Sequence, residues 1–83
     1  MSERSEVLQQ VITLLETHTP ARLRHVRVVE STDLTNELGI NSASVVDMVM
    51  TLEEVLQLKP GDNYVFKTVG DLVDYVFAQR NVQ

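Results

Sequence analysis

The chain has 83 residues, of which 43% are hydrophobic and none is cysteine. That suits one domain with one modest core and excludes disulfides, thiolate metal sites and a thiol nucleophile of the protein's own. The formal charge is −5, and the excess lies in residues 31–83, where eight acids face Lys59, Lys67 and Arg80; ahead of them four acids balance four arginines. An acidic surface repels phosphate backbones, which disfavours nucleic acid as a partner and favours basic protein surfaces.

In chain order, Met1 to Glu6 is polar and charged, unlike a secretory signal. No apolar run approaches the roughly 20 residues needed to span a bilayer. A cytoplasmic protein is therefore expected, and a monomer. Residues 3–17 read as an amphipathic helix, with Val7, Leu8, Val11, Ile12, Leu14 and Leu15 at helical spacing and Ser2 or Ser5 as cap. Thr17-His18-Thr19-Pro20 ends it, because proline disfavours helical geometry at the preceding residue. Residues 20–41 form a long connection. It carries Leu23, Val26, Val28, Val29, Leu34, Leu38 and Ile40, too many apolar residues for a solvated linker. Val26 to Val29 has strand character but no second strand to pair with, so a packed loop is expected, followed by a helical turn at Thr35 to Leu38 that Gly39 ends.

A second helix starts at Asn41 or Ser42, both favoured caps, and runs to about Leu58. Val45, Met48, Val49, Leu52 and Leu56 share one face, which is expected to be buried. Ala43, Val46 and Met50 lie on another side, among Asp47, Glu53 and Glu54. That second stripe has two readings. One is a central helix buried on two sides; the other is a docking surface with apolar anchors and an acidic rim for a basic partner.

Lys59-Pro60-Gly61-Asp62-Asn63 is a break. Tyr64-Val65-Phe66 reads as a short helical turn or as extended chain. Thr68 then caps a last helix over roughly 69–79, with Val69, Leu72, Val73, Val76 and Phe77 on one face. The expected fold is all-α: one domain over residues 1–83, a small bundle of three main helices, a long first loop and, on the helical reading of 63–67, a short fourth helix.

No catalytic constellation stands out. His18 and His25 have no ligand cluster or acid partner and read as solvated or capping residues. Glu53 and Glu54 are adjacent on a helix and point in different directions. An enzyme is not expected.

The stretch from Glu37 to Glu54, ELGINSASVVDMVMTLEE, resembles the signature of acyl carrier proteins: a Leu-Gly-x-Asp-Ser-Leu turn followed by a helix of the type Val-Glu-Leu-Val-Met-x-Leu-Glu-Glu. Ser31-Thr32-Asp33-Leu34 is similar to that family's preceding loop. Thr68 to Val76 is similar to its last helix, including the Asp-Tyr pair at Asp74 and Tyr75. The resemblance implies an acyl-carrier-like bundle. It also implies that Ser42 is esterified by 4'-phosphopantetheine, supplied from coenzyme A by a magnesium-using phosphopantetheinyl transferase. The arm's thiol would then hold acyl groups as thioesters. A serine at a helix start also suits a phosphate on physical grounds, because the dipole and free N–H groups favour negative charge there.

The same resemblance places the partner surface at Asn41, Ala43, Val46, Asp47, Met50, Glu53 and Glu54, facing the transferase and the acyl-loading and acyl-transfer enzymes. It places an interior acyl pocket beside Val49, Leu52 and Val73. The chain departs from the pattern at Asn41 (usually aspartate), Ala43 (usually leucine), Ser44 and Val55 (usually acids), and in a segment 57–67 about two residues shorter than usual. These departures point to a specialised carrier for lipid, polyketide or aminoacyl transfer rather than the housekeeping protein of fatty acid synthesis. The competing readings are an unmodified carrier-like interaction module and an unrelated helical bundle, for example a DNA-binding one, against which the acidic long helix argues.

Overall fold

The computed structural model describes residues 2–23 and 26–80. His25, read above as solvated or capping, lies outside the described residues. Among the described residues three α-helices follow in order: α1 over Glu3–His18, α2 over Ser42–Leu56 and α3 over Val69–Arg80.

Helix α1 begins where the Ser5 amide donates to Ser2 Oγ at 3.1 Å, so Ser2 rather than Ser5 is the cap. It ends at Thr19, whose N–H returns to the Leu15 carbonyl at 2.9 Å, just ahead of Pro20. His18 sits in the last turn. Val7, Val11 and Leu15 are buried; Leu8, Ile12 and Leu14 are only half-buried at the edges of that stripe.

The described part of the connection from 20 to 41 is a packed loop, as expected, with a 3-10 turn at Ala21–Leu23. Leu34, Leu38 and Ile40 are fully buried, although Val29 is largely exposed. One core therefore unites α1, the loop, α2 (Val45, Met48, Val49, Leu52), Leu58, and α3 (Val69, Leu72, Val73, Val76). Leu56, expected on the buried face of α2, is half-buried.

One expectation is corrected. Helix α2 stops at Leu56, not Leu58. Gln57 adopts the left-handed conformation (φ 54°), and the Leu58 amide turns back to the Glu53 carbonyl at 2.8 Å. Of the two readings of residues 63–67, the structure takes the extended one; no helical turn forms there. The Leu34 amide donates to the Lys67 carbonyl at 2.9 Å, and the Val69 amide donates to the Thr32 carbonyl at 3.0 Å. These bonds make an antiparallel bridge between Asp33 and Thr68. Backbone groups committed to the first loop cannot close a helical turn. Side chains alternate accordingly: Tyr64 and Phe66 pack against Tyr75, while Val65 is exposed.

Helix α3 opens on a reciprocal cap. The Thr68 hydroxyl accepts from the Asp71 amide at 3.2 Å; Asp71 Oδ2 accepts from the Thr68 and Lys67 amides at 3.0 and 2.9 Å. Those amides, Thr68 first, hold the Asp71 carboxyl below its usual range. Arg4 fastens α1 to the rest, donating from Nε to Glu30 at 3.0 Å and from its terminal nitrogen to Asp74 at 2.8 Å.

Candidate phosphopantetheine site

The turn before α2 is built from short polar side chains. Asp33 Oδ1 accepts from the Thr35 and Asn36 amides at 2.9 and 2.7 Å, and Glu37 Oε2 accepts from the Asp33 amide at 2.6 Å. The Asn36 amide first, then that of Thr35, lowers the Asp33 carboxyl pKa. The backbone closes with Gly39 N–H on the Thr35 carbonyl at 3.0 Å and Ile40 N–H on the Leu34 carbonyl at 2.9 Å. Gly39 has φ 67°, the left-handed region, which a residue without a Cβ occupies freely. The turn is anchored by buried Leu34, Leu38 and Ile40, so the chain enters α2 in a defined direction.

Of the two capping candidates, Asn41 is the cap. Its Oδ1 accepts from the Ser44 amide at 2.8 Å, and its carbonyl accepts from the Val45 amide at 3.0 Å. Ser42 is therefore the first helical residue. It is exposed, and among the described residues its hydroxyl has no hydrogen-bond partner. The Ser42 and Ala43 amides precede the first intrahelical bond and stay available to an anion. No acid lies in the first turn of α2. A neutral asparagine cap keeps the terminus structured without a carboxylate beside the site. Replacing Asn41 with alanine should cost about 1 kcal/mol, read as a lower urea midpoint at unchanged slope.

The other residues expected at the partner surface divide into two groups. Asn41, Ala43, Asp47, Met50 and Glu54 are exposed and Val46 is half-buried, so the second stripe of α2 faces outward rather than into a second core. Met50 is 55% exposed, and the neighbouring Val55 reaches 71%. Glu53 is different. Its Oε2 accepts from the Tyr64 hydroxyl at 2.8 Å and also from the Tyr75 hydroxyl, which itself accepts from the Gly61 amide at 2.7 Å. Glu53 thus ties α2 to the 61–66 segment and to α3.

Nothing in the local sequence around Glu53 separates it from Glu54. Its tyrosine partners lie 11 and 22 residues away. The Glu53 bond, above all, raises the Tyr64 phenol; burial first, then Glu53, raises that of Tyr75. Raised phenol pKa values mean that the stabilisation is complete below the ordinary tyrosine value near 10 and is lost as pH rises through the folded values. Tyr64 and Tyr75 are the chain's two tyrosines, so phenolate absorbance reports on this cluster alone. It should rise later than for free tyrosine in the folded chain, and earlier in Glu53→Gln.

Val49, Leu52 and Val73, expected beside an interior pocket, are almost completely buried. Of these, Leu52 borders an open cleft of about 350 Å³ between α1 and α2, together with Leu14, Val55 and Leu56. A separate cavity of about 100 Å³ is lined by Ser42 itself. Among the described residues no group of three or more His, Asp or Glu side chains is arranged to hold a metal, and no helix is long and apolar enough to cross a membrane.

The sequence profile of the family described as a phosphopantetheine attachment site matches residues 9–76. The chain belongs to the acyl carrier protein family. Curated proteins named acyl carrier protein are similar to it. One from Clostridium perfringens is 42% identical over 50 residues, covering 58% of this chain and 64% of that protein. One from Azobacteroides pseudotrichonymphae is 28% identical over 80 residues, covering 93% and 92%. A third, from Prochlorococcus marinus, is 28% identical over 79 residues, covering 93% and 96%. The chain thus spans just under two thirds of the Clostridium relative and nearly all of the other two.

Membership in the family implies a covalently attached 4'-phosphopantetheine group. The residues at the start of α2 fit it: an exposed hydroxyl, two free amides and no neighbouring carboxylate in the first turn. When bound, that group supplies the thiol that the cysteine-free chain lacks.

Proposed function

We propose that Ser42 is the attachment point of the arm and that the chain carries acyl or related groups as thioesters between partner enzymes, without catalysing a reaction of its own. The observation that carries this reading is the position of Ser42. It is the first residue of α2, exposed and unbonded, with the adjoining amides free, inside the region that matches the family. Ser44 is less suited, because its amide is already taken by the cap and it is partly buried.

Partner enzymes dock on the outward stripe of α2, where Ala43, Val46 and Met50 supply apolar contact. Asp47 and Glu54 attract a basic rim on the partner. Glu53 contributes by holding the neighbouring segment in place. The short side chain of Ala43 and the exposed valine at position 55 give this surface a different relief from that of carriers with leucine and glutamate there. This supports a specialised pathway with dedicated partners, operating in the cytoplasm. Intact-mass measurement after incubation with coenzyme A and a broad-specificity phosphopantetheinyl transferase tests the reading. The folded chain is expected to gain the mass of one phosphopantetheine, and no gain would overturn it.

A further inference from the structure

The cavity that Ser42 lines has a composition of its own. Its other walls are Thr35, Val45, Tyr64, Val65 and Phe66, so it is apolar apart from the Ser42 and Thr35 hydroxyls and the Tyr64 phenol. The Tyr64 phenol is turned to Glu53, and the Thr35 hydroxyl donates to the Ile40 carbonyl at 3.0 Å. The outer wall is the extended segment 64–66. It is held against the bundle by the Glu53–Tyr64–Tyr75 cluster and by the Phe66 ring, which meets Tyr75 edge-on at 5.3 Å. This wall exists because residues 63–67 are extended rather than helical. Extended chain sends Tyr64 and Phe66 toward the bundle and leaves Val65 85% exposed at the rim.

Given Ser42 as the attachment point, we propose that this cavity seats the geminal dimethyl carbon of the phosphopantetheine arm, so that the arm leaves the serine packed against Tyr64, Val65 and Phe66. The arm's own covalent structure selects that group. From the serine oxygen the chain runs through phosphorus, an ester oxygen and one methylene to a carbon bearing two methyls. That is four bonds of about 1.5 Å each. It is the arm's one branched apolar unit, and everything beyond it is hydroxyl, amide and thiol joined by short methylene links. A cavity bordered by the attachment residue is within reach of this unit. The thiol end lies many bonds further along.

Size agrees. The cavity's volume of about 100 Å³ equals that of some three waters at ~30 Å³ each, enough for a carbon with two methyls and too small for a long acyl chain. The Thr35 oxygen, its proton given to the Ile40 carbonyl, keeps a lone pair to accept from the adjoining hydroxyl on the arm.

The test is an NMR comparison of the full chain in its phosphopantetheinylated form with free phosphopantetheine, after intact mass has established the modification. The two arm methyl signals are expected to move upfield under the Phe66 and Tyr64 rings and to show cross-peaks to Val65 and Phe66. In Phe66→Leu the apolar wall persists without the Phe66 ring, so the cross-peaks should remain while the upfield shift shrinks. In Val65→Ser, a change at an exposed position, the cross-peaks to residue 65 should be lost with the fold intact. Methyl signals at the free-arm position without cross-peaks, in a chain that carries the full added mass, would overturn the seat and leave the attachment at Ser42 standing. A chain that gains no mass would overturn both.

Discussion

Leu34→Ala is expected to destabilise the protein by about 2–5 kcal/mol, as much as a substitution in the middle of a helix. Leu34 belongs to no helix, but its side chain is fully buried and its amide donates to the Lys67 carbonyl. Truncation removes apolar contacts and leaves a cavity between the first loop and the segment leading to α3. A chain of this size has about 4–12 kcal/mol of total stability, so the variant should lose a large share of it. Urea titration reads the loss. Val65→Ala, at an exposed position, should stay within about 0.5 kcal/mol of the parent. Equal effects at the two positions would mean that the first loop does not belong to the core.

Gly39→Val should cost about 1–2 kcal/mol from backbone strain alone, because an L-residue at φ 67° brings its Cβ against the following carbonyl. Space makes matters worse: an added Cβ would stand 3.1 Å from Leu23 Cδ1. Gly39→Asn is the informative comparison, since asparagine tolerates the left-handed region better than a β-branched residue does. Both variants place a side chain near Leu23, but valine adds the larger strain. The thermal midpoint should fall in the order parent, Asn, Val. Because this turn delivers the chain to Ser42, the valine variant should also be modified more slowly by the transferase.

The helices were legible because their apolar residues recur at helical spacing and their starts carry short polar caps. Val7, Val11 and Leu15 on α1 and Leu72, Val73 and Val76 on α3 are buried as the pattern predicts. The choice between Asn41 and Ser42 as cap was open because both side chains can do the work; the position of one amide, that of Ser44, decides it. The end of α2 was misplaced by two residues. Proline and glycine at 60 and 61 announce a stop, but the stop itself is a left-handed Gln57, and a non-glycine residue carries no such signal.

Residues 63–67 resisted local reading for a different reason. The Lys67 carbonyl is committed to the Leu34 amide and the adjoining Val69 amide to the Thr32 carbonyl, more than 30 residues earlier, and no periodicity within five residues encodes that pairing. Glu53 shows the same limit within the candidate site. Alone it is one of two adjacent acids; in the fold it receives two tyrosine hydroxyls and shapes the wall beside Ser42. Exposure of the outward stripe, by contrast, was one of two readings that the pattern allowed, and the packing of α2 along its other face selects it.

The central claim is that Ser42, and not the neighbouring Ser44, bears the arm. Fragmentation mass spectrometry of the peptide containing both serines, taken from chain modified by a phosphopantetheinyl transferase, tests this most directly. The added mass should localise to Ser42, disappear in Ser42→Ala and persist in Ser44→Ala. Added mass on Ser44, or mass retained by Ser42→Ala, would contradict the account.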